Sequence, residues 1–506
     1  MELELTRETI RFEQLVSRSA EQVTIEGEAV LPGSMRDAVT VLAVLARAHL
    51  TGASAGNGEA LLRGRVNFRL LYTQGDLTRI RSLETGCSFE HRAMVAGATP
   101  QSRIQAAVCV QETEGIAGSG RVTLRALLGI EAEAFETVQR DWITGVSGGE
   151  AEGVQTLEQT AVFCIGETLG EGSALVREEF ELPAKSDAGD VLSVTATAGA
   201  PEISGGGADA QGKAARTGVS GVVLVRVLHR AKEPGRPLVT TTHELPYDTV
   251  IEAQLPEGAQ LTARAEVTDV MADAAPADDG MTLRVEAEVR VVLSACTQQE
   301  KTLLADAYTL RGETLELKTQ ETDVHTFEEH RQAMESMRIQ AQLPEDAPPV
   351  GTMLAAFAQP VLAGLAPAGR RLEAEGIMNL TLVYLPADSD VPFAVHTKEP
   401  FTMTFPVEAG EGVRAALYAV EAAPGAATSD RVEVRCVLMI RAVEHGVRRI
   451  RGVSEVTAQP AQKQEHGFVL VWPPEGETRW QTARRLRVAQ ESLRSVGKGA
   501  LLAMRR

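Results

Sequence analysis

Three Leu-Pro steps constrain this chain most, because each one opens the same series of landmarks. Leu31-Pro32 ends "VTIEGEAVLP", Leu182-Pro183 ends "ALVREEFELP" and Leu343-Pro344 ends "SMRIQAQLP". Proline has no amide proton to give a neighbouring strand, so each extended segment stops there. An alanine-rich apolar run follows, and then a glycine starts an alternating strand: Gly64 to Tyr72, Gly221 to His229 and Gly376 to Tyr384 are each eight residues apart. Seventeen or eighteen residues later an aromatic returns, as Phe89, Tyr247 and Phe401. Each copy closes with a period-two strand, "RVTLRALLGIEAEAF", "MTLRVEAEVRVVLSA" and "RVEVRCVLMIRAVEH". That alternation turns one set of side chains inward and the other to solvent, as in half-buried antiparallel strands.

The expected fold is therefore mainly β: three tandem antiparallel β-sandwich-like repeat domains at 1–150, 151–325 and 326–463, followed by a small βααβ module at 466–506. Strands are expected to be short. The charged segments "RETIRFEQLVSRSA" and "TFEEHRQAMESMR" read as short helices or connectors leading into the first and third copies. The apolar stretch Val350 to Pro367 falls where the other copies have a core strand, and Gln359 and Pro360 spoil it as a membrane span.

Charge limits the partners. The net charge of −19 disfavours phosphate-backbone binding, so no nucleic acid is expected. The last forty-one residues, from His466, run the other way, with eight basic residues against three acidic ones. The start "MELELTRETIRFEQ" lacks a basic stretch followed by an apolar run, which predicts a protein that stays in the cell that makes it. Five cysteines lie far apart without a C-x-x-C pair, which reads as buried free thiols in a reducing compartment.

Local matches to catalytic patterns fail on context. "GADAQGKA" at 207–214 lacks the hydroxyl a phosphate loop needs. "GVSGG" at 145–149 falls between two copies, outside any strand–turn–helix frame, and reads as a flexible joint. The acidic run Asp269 to Gly280 reads as a solvated hairpin tip and not a calcium loop. His325 and His330, the closest histidine pair, stand five apart where two ligands on one helix face want three or four. No metal, no cofactor and no catalytic constellation are expected, and the chain reads as a non-enzyme.

The tail reads as strand "FVLVW", turn "PPEGE", a helix capped by Thr478, a second helix over "AQESLRSVG", and a strand "ALLAM". Trp480, Ala483 and Leu486 share one helix face, so Trp480 reads first as a core anchor over which Leu493 closes. The arginines off that face read either as a solvated surface or as a patch that steers an acidic partner.

Gly476, Glu477, Thr478, Trp480 and Ala483 resemble the opening of a LysM module, with Glu477 in place of the usual aspartate. The three repeats are similar to the domains of spore-coat proteins of the SPOCS type. Three such copies before one LysM module resemble the SipL-like spore coat morphogenesis family. That resemblance implies a non-catalytic adaptor in the mother-cell cytoplasm, at the forespore surface. It would dock through the module onto the spore coat ATPase SpoIVA, with other coat proteins as further partners. The alternative that it implies is a peptidoglycan-binding protein holding N-acetylglucosamine chains. Carried onto this sequence, the partner-binding positions are Gly476, Glu477, Thr478, Arg479, Trp480, Arg484, Arg487, Gly497 and Lys498.

Overall fold

Alternating burial along the first charged segment, with Ile10 and Phe12 turned fully inward, makes it part of a strand of 27 residues and not a helix. Thr326–Arg338 is likewise the middle of a 29-residue strand. Both expected helices are overruled by cross-strand pairing, which satisfies the inward-facing backbone groups along the whole of each strand and outweighs the small helical preference of Glu, Gln and Arg. The computed structural model describes residues 4–32, 39–147, 153–182, 191–205, 215–230, 238–277, 280–311, 313–410, 412–460, 467–497 and 499–505. The 207–214 loop, Asp278 and Asp279, and 148–149 of "GVSGG" lie outside them.

The first copy comprises β1 (Glu4–Val30), β2 (Val39–Ala55), β3 (Glu59–Gln74), β4 (Asp76–Met94), β5 (Arg103–Ala117) and β6 (Arg121–Ser147). The second has β7 (Val154–Leu182), β8 (Val191–Ala198), β9 (Glu202–Gly205), β10 (Ala215–Arg230), β11 (Leu238–Ala253), β12 (Gln260–Ala277) and β13 (Gly280–Thr309). The third has β14 (Thr314–Gln342), β15 (Val350–Ala368), β16 (Arg371–Pro386), β17 (Phe393–Phe405), β18 (Arg414–Ala427) and β19 (Arg431–Gln459). Because β14 begins at Thr314, the break between the second and third copies falls at 310–313 and not at 325.

Every copy folds the same way. Its first strand pairs antiparallel with its last, and a third strand completes that sheet: β1-β6-β5, β7-β13-β12 and β14-β19-β18. The middle strands make a second sheet, β2-β3-β4, β8-β10-β11 and β15-β16-β17, with β9 also on β10. The two sheets of each copy share one apolar core, which Leu124, Val285 and Val434 enter from the closing strands. The suspected membrane stretch is β15, an edge strand whose Pro360 needs no outer partner. Among the described residues no helix is long and apolar enough to cross a membrane.

The glycine and the aromatic of each copy meet across the second sheet. Gly64 pairs with Phe89, Gly221 with Tyr247 and Gly376 with Phe401. The ring lies over the bare glycine: a Cβ on Gly221 would stand 2.5 Å from Tyr247 Oη, and one on Gly376 3.1 Å from the Phe401 ring. Glycine weakens a strand, and a cross-strand ring compensates by covering its backbone.

The closing hairpins are far longer than expected, at 27 to 30 residues per strand. Their outer halves build the sandwiches, and their inner halves pack on one another. Phe12, Phe163 and Val324, each nineteen residues before the leucine of Leu-Pro, share one buried cluster. Ile143, Leu304 and Val453 share a second. On the second sheets Leu42, Leu192 and Leu354 join Leu71, Leu228 and Val383 in a third. Trp142, Leu303 and Gly452 hold the same position in the three copies, and a Cβ on Gly452 would stand 2.6 Å from the Trp142 ring. One copy supplies the bulk and another the space.

Two cysteines are not free. Cys164 on β7 and Cys296 on β13 form a disulfide with a Cα separation of 6.2 Å, while Cys87, Cys109 and Cys436 remain thiols. The expectation of five free thiols fails because residues 132 apart in sequence are brought together only by the hairpin.

Two outcomes check this fold. Denatured without reductant, the protein should titrate three thiols; five would show the pair to be reduced. Gly221→Ala should cost about 1–3 kcal/mol, as overpacked cores do, and lower the urea midpoint; an unchanged midpoint would mean that Tyr247 moves aside freely.

Candidate functional site

The tail forms β20 (Gly467–Val471), α1 (Arg479–Leu486), a single 3-10 turn at Gln490–Ser492, β21 (Arg494–Gly497) and β22 (Ala500–Arg505), with sheet order β20-β22-β21. Thr478 caps α1 as expected: its hydroxyl accepts from the Gln481 amide, and the Gln481 side chain accepts from the Thr478 amide at 2.7 Å. The second helix is a correction. "AQESLRSVG" supplies only the 3-10 turn and then β21, because Arg494 and Ser495 pair with Leu502 and Leu501.

Trp480 is the core anchor of this module, buried with Ala483, Leu486, Val488 and Leu493. The cluster also contains Tyr308 from the end of β13. The Tyr308 and Trp480 rings meet edge to face at 5.0 Å, and Tyr308 Oη donates to the Val488 carbonyl at 2.8 Å. Burial pushes the Tyr308 phenol up to about 12, so it stays a donor. Trp480 Nε1 donates to Asp306 Oδ2 at 2.7 Å, and Arg484 Nη1 donates to the same oxygen at 2.9 Å. Arg487, held at φ 52 where α1 ends, donates from Nε to the Thr309 carbonyl at 3.0 Å and from Nη2 to the Glu313 carbonyl at 3.0 Å.

This interface divides the expected partner-binding positions. Trp480, Arg484 and Arg487 face the second copy of their own chain, so the module is docked inward through them and not held out. Glu477 is clamped by Arg485, whose Nε and Nη2 each donate at 2.9 Å, which holds its carboxyl below the usual range. Arg479 donates to the Leu493 carbonyl. Gly476, Thr478, Arg479 and Gly497 are exposed, while Lys498 lies outside the described residues.

The opposite face of the module is apolar and open. Phe468 and Leu470 alternate along β20, Trp472 follows directly after its end, and the three stand 74 %, 47 % and 63 % exposed, with Val496 at 54 %. β20 is an edge strand, paired only with β22. Sequence reading passed over this face, although the i, i+2, i+4 spacing of Phe468, Leu470 and Trp472 was available as a signal.

Among the three sandwiches lie two cavities of about 1270 and 990 Å³. The first is walled by β5, β12 and β18, and Arg441 and Glu266 border both. At its rim sits a buried charged cluster made of the first and third copies. His325 and His445 lie with Glu328, and the ligand-capable atoms of the three are all within 4.8 Å of one another. His325 pairs in space with His445, 120 residues away, and not with its neighbour in sequence His330. Glu328 accepts from His330 Nε2 at 2.7 Å and from Gln105 Nε2 at 3.0 Å; despite its burial, His330 and the nearby His445 and Arg103 hold its carboxyl well below the usual carboxylate range. The acidic run at 269–277 is plain strand in β12, with Asp269 Oδ1 accepting from the Val270 amide at 3.0 Å.

Comparison of the chain with protein-family models, with curated proteins and with solved structures finds no match.

Replacing Asp306 with alanine leaves Trp480 Nε1 and Arg484 without their shared acceptor. A hydrogen bond to a charged group contributes about 1.5–3 kcal/mol, so peptides covering 304–311 and 479–488 should exchange amide hydrogen faster while those of the sandwiches do not change. Equal exchange throughout would show that the docking does not rest on Asp306.

Proposed function

We propose that this chain is a non-catalytic adaptor of spore coat assembly that docks onto the coat-basement ATPase SpoIVA. The observation that carries the reading is the two-sided tail module. One side, with Trp480, Arg484 and Arg487, holds it against the second copy, and the other offers Phe468, Leu470 and Trp472 to solvent. A contiguous exposed apolar face on an edge strand is the kind of surface that protein partners cover, by side-chain burial and by strand addition. The repeat landmarks and the Gly476 to Ala483 stretch support the spore-coat assignment by resemblance. In this reading the three sandwiches are a rigid stand, and the positions that touch the partner shift from the α1 arginines to β20. The setting is the mother-cell cytoplasm at the forespore surface.

The full-length chain should retain purified SpoIVA, and Trp472→Ala with Phe468→Ser should abolish retention while leaving the unfolding midpoint in place. Sedimentation with insoluble peptidoglycan in the absence of SpoIVA binding would replace this reading with glycan recognition. Binding that survives the β20 changes and disappears with Arg479→Ala would place the contact at the other expected position.

A further inference from the structure

We propose that His325, Glu328 and His445 form a binding site for one divalent first-row transition metal ion, Zn2+ in the first instance, which ties β14 to β19 within the third copy beside the carboxylates Glu13 and Glu133 of the first. Glu13 Oε2 accepts from Arg103 Nη2 at 2.8 Å, from the Gly166 amide at 3.3 Å and from His325 Nδ1 at 3.1 Å. A carboxylate so crowded with donors has only lone pairs to offer, so His325 Nδ1 carries the hydrogen. His445 Nε2 stands 3.3 Å from Glu133 Oε2, which Arg414 and Arg18 hold as a carboxylate. Arg414 Nη2 donates to that nitrogen at 3.2 Å, so His445 Nε2 accepts and its Nδ1 carries the hydrogen toward His325 Nε2.

His325 Nε2 is therefore a lone pair, and moving the His445 proton from Nδ1 to Nε2, 3.3 Å from Glu133 Oε2, turns Nδ1 into a second lone pair facing it. His325 Nε2 and His445 Nδ1 are 3.4 Å apart, and Glu328 Oε2 is 3.8 Å from the latter. A metal ion would then find three donors, His325 Nε2, His445 Nδ1 and a Glu328 oxygen, all within 4.8 Å of one another in a buried space. Two nitrogens bonded to zinc at about 2.0–2.1 Å in a tetrahedral arrangement stand about 3.4 Å apart. The outer contacts also have the form of a metal centre, since ligating histidines commonly give their second N–H to a carboxylate that fixes the ring. Imidazole with carboxylate selects zinc and its neighbours over calcium or magnesium. Glu328 and His330 border the larger cavity, which supplies both an entry path and room for a fourth ligand from water.

A second observation comes from the repeat register. Glu13, Cys164 and His325 each lie eighteen residues before the leucine of their Leu-Pro step. Phe135, Cys296 and His445 likewise share one position on the closing strands. In the second copy those two positions hold the disulfide, and in the third they hold the facing histidines. The same pair of sites is cross-linked covalently in one copy and, on this proposal, through a metal in the other. In the first copy Glu13 reaches across to His325, and Phe135 packs against both imidazoles with ring centroids at 5.5 and 5.1 Å.

The test uses the full-length protein, stripped with a chelator and titrated with Zn2+ or Co2+. One equivalent should bind, the Co2+ form should show tetrahedral d–d absorption, and X-ray absorption of the zinc form should show two imidazoles with oxygen and no sulfur. His445→Gln should remove that equivalent, His396→Gln should keep it, and Glu13→Gln should weaken binding about 10–100-fold. Absence of stoichiometric binding, sulfur in the first shell, or binding unchanged by His445→Gln would each overturn the site; a proton shared by the two rings would then fill the space. The absorption measurements need only the unmodified chain, so they decide even where a variant fails to fold. Loss of SpoIVA binding by itself leaves the metal equivalent in place, which separates this site from the adaptor reading.

Discussion

The contact on which the architecture depends is Trp142 lying over the bare backbone of Gly452, where the inner halves of three long hairpins meet. A tandem array of sandwiches has no reason to close on itself unless the apolar strand ends find partners. Here Phe12, Phe163 and Leu303 surround Trp142, and each such side chain contributes about 1.5–3 kcal/mol when fully buried. The three positions that are equivalent in the repeat differ in size, as Trp, Leu and Gly. Equal large residues would collide at a common centre, and equal small ones would leave a cavity.

Closure of the ring sets everything between the copies. Polar side chains cross the gaps and end on backbone carbonyls of the next copy: Arg290 donates to Leu50 at 2.9 Å, Gln359 to Val110 at 2.8 Å and Asn379 to Gln111 at 2.7 Å. Arg47, half-buried between the bodies, has its guanidinium pushed down to about 10 by desolvation. Such groups are costly to bury without partners, so they fix how the sandwiches sit as much as they strengthen the assembly. The tail module is attached by the same means. Asp306 and Tyr308 at the end of β13 receive Trp480, and a module of this size gains from the larger body part of the core it cannot build alone.

The equivalence of the copies also explains why chemistry appears at one place among them. Two positions on the closing hairpins carry a disulfide in the second copy and two histidines in the third. Side chains at these positions point toward neighbouring copies, where they are screened from water by the central clusters. A pair that is unremarkable on an isolated hairpin becomes a buried, mutually facing pair once the ring closes.

The sequence by itself determined the mainly β fold and the three recurring landmark series, because these rest on period-two alternation and on local steric facts; that each glycine lies under its aromatic was shown only by the strand register. It also determined the capped helix at Thr478 and the role of Trp480 as a core residue. It did not determine the length of the hairpins, since charged stretches such as Thr326–Arg338 read as helix until their partner strand is known. The inward docking of Trp480, Arg484 and Arg487, the Cys164–Cys296 bond and the meeting of His325 with His445 were decided by tertiary structure alone. Each joins residues more than a hundred positions apart, and no local pattern records which strand ends will share a centre.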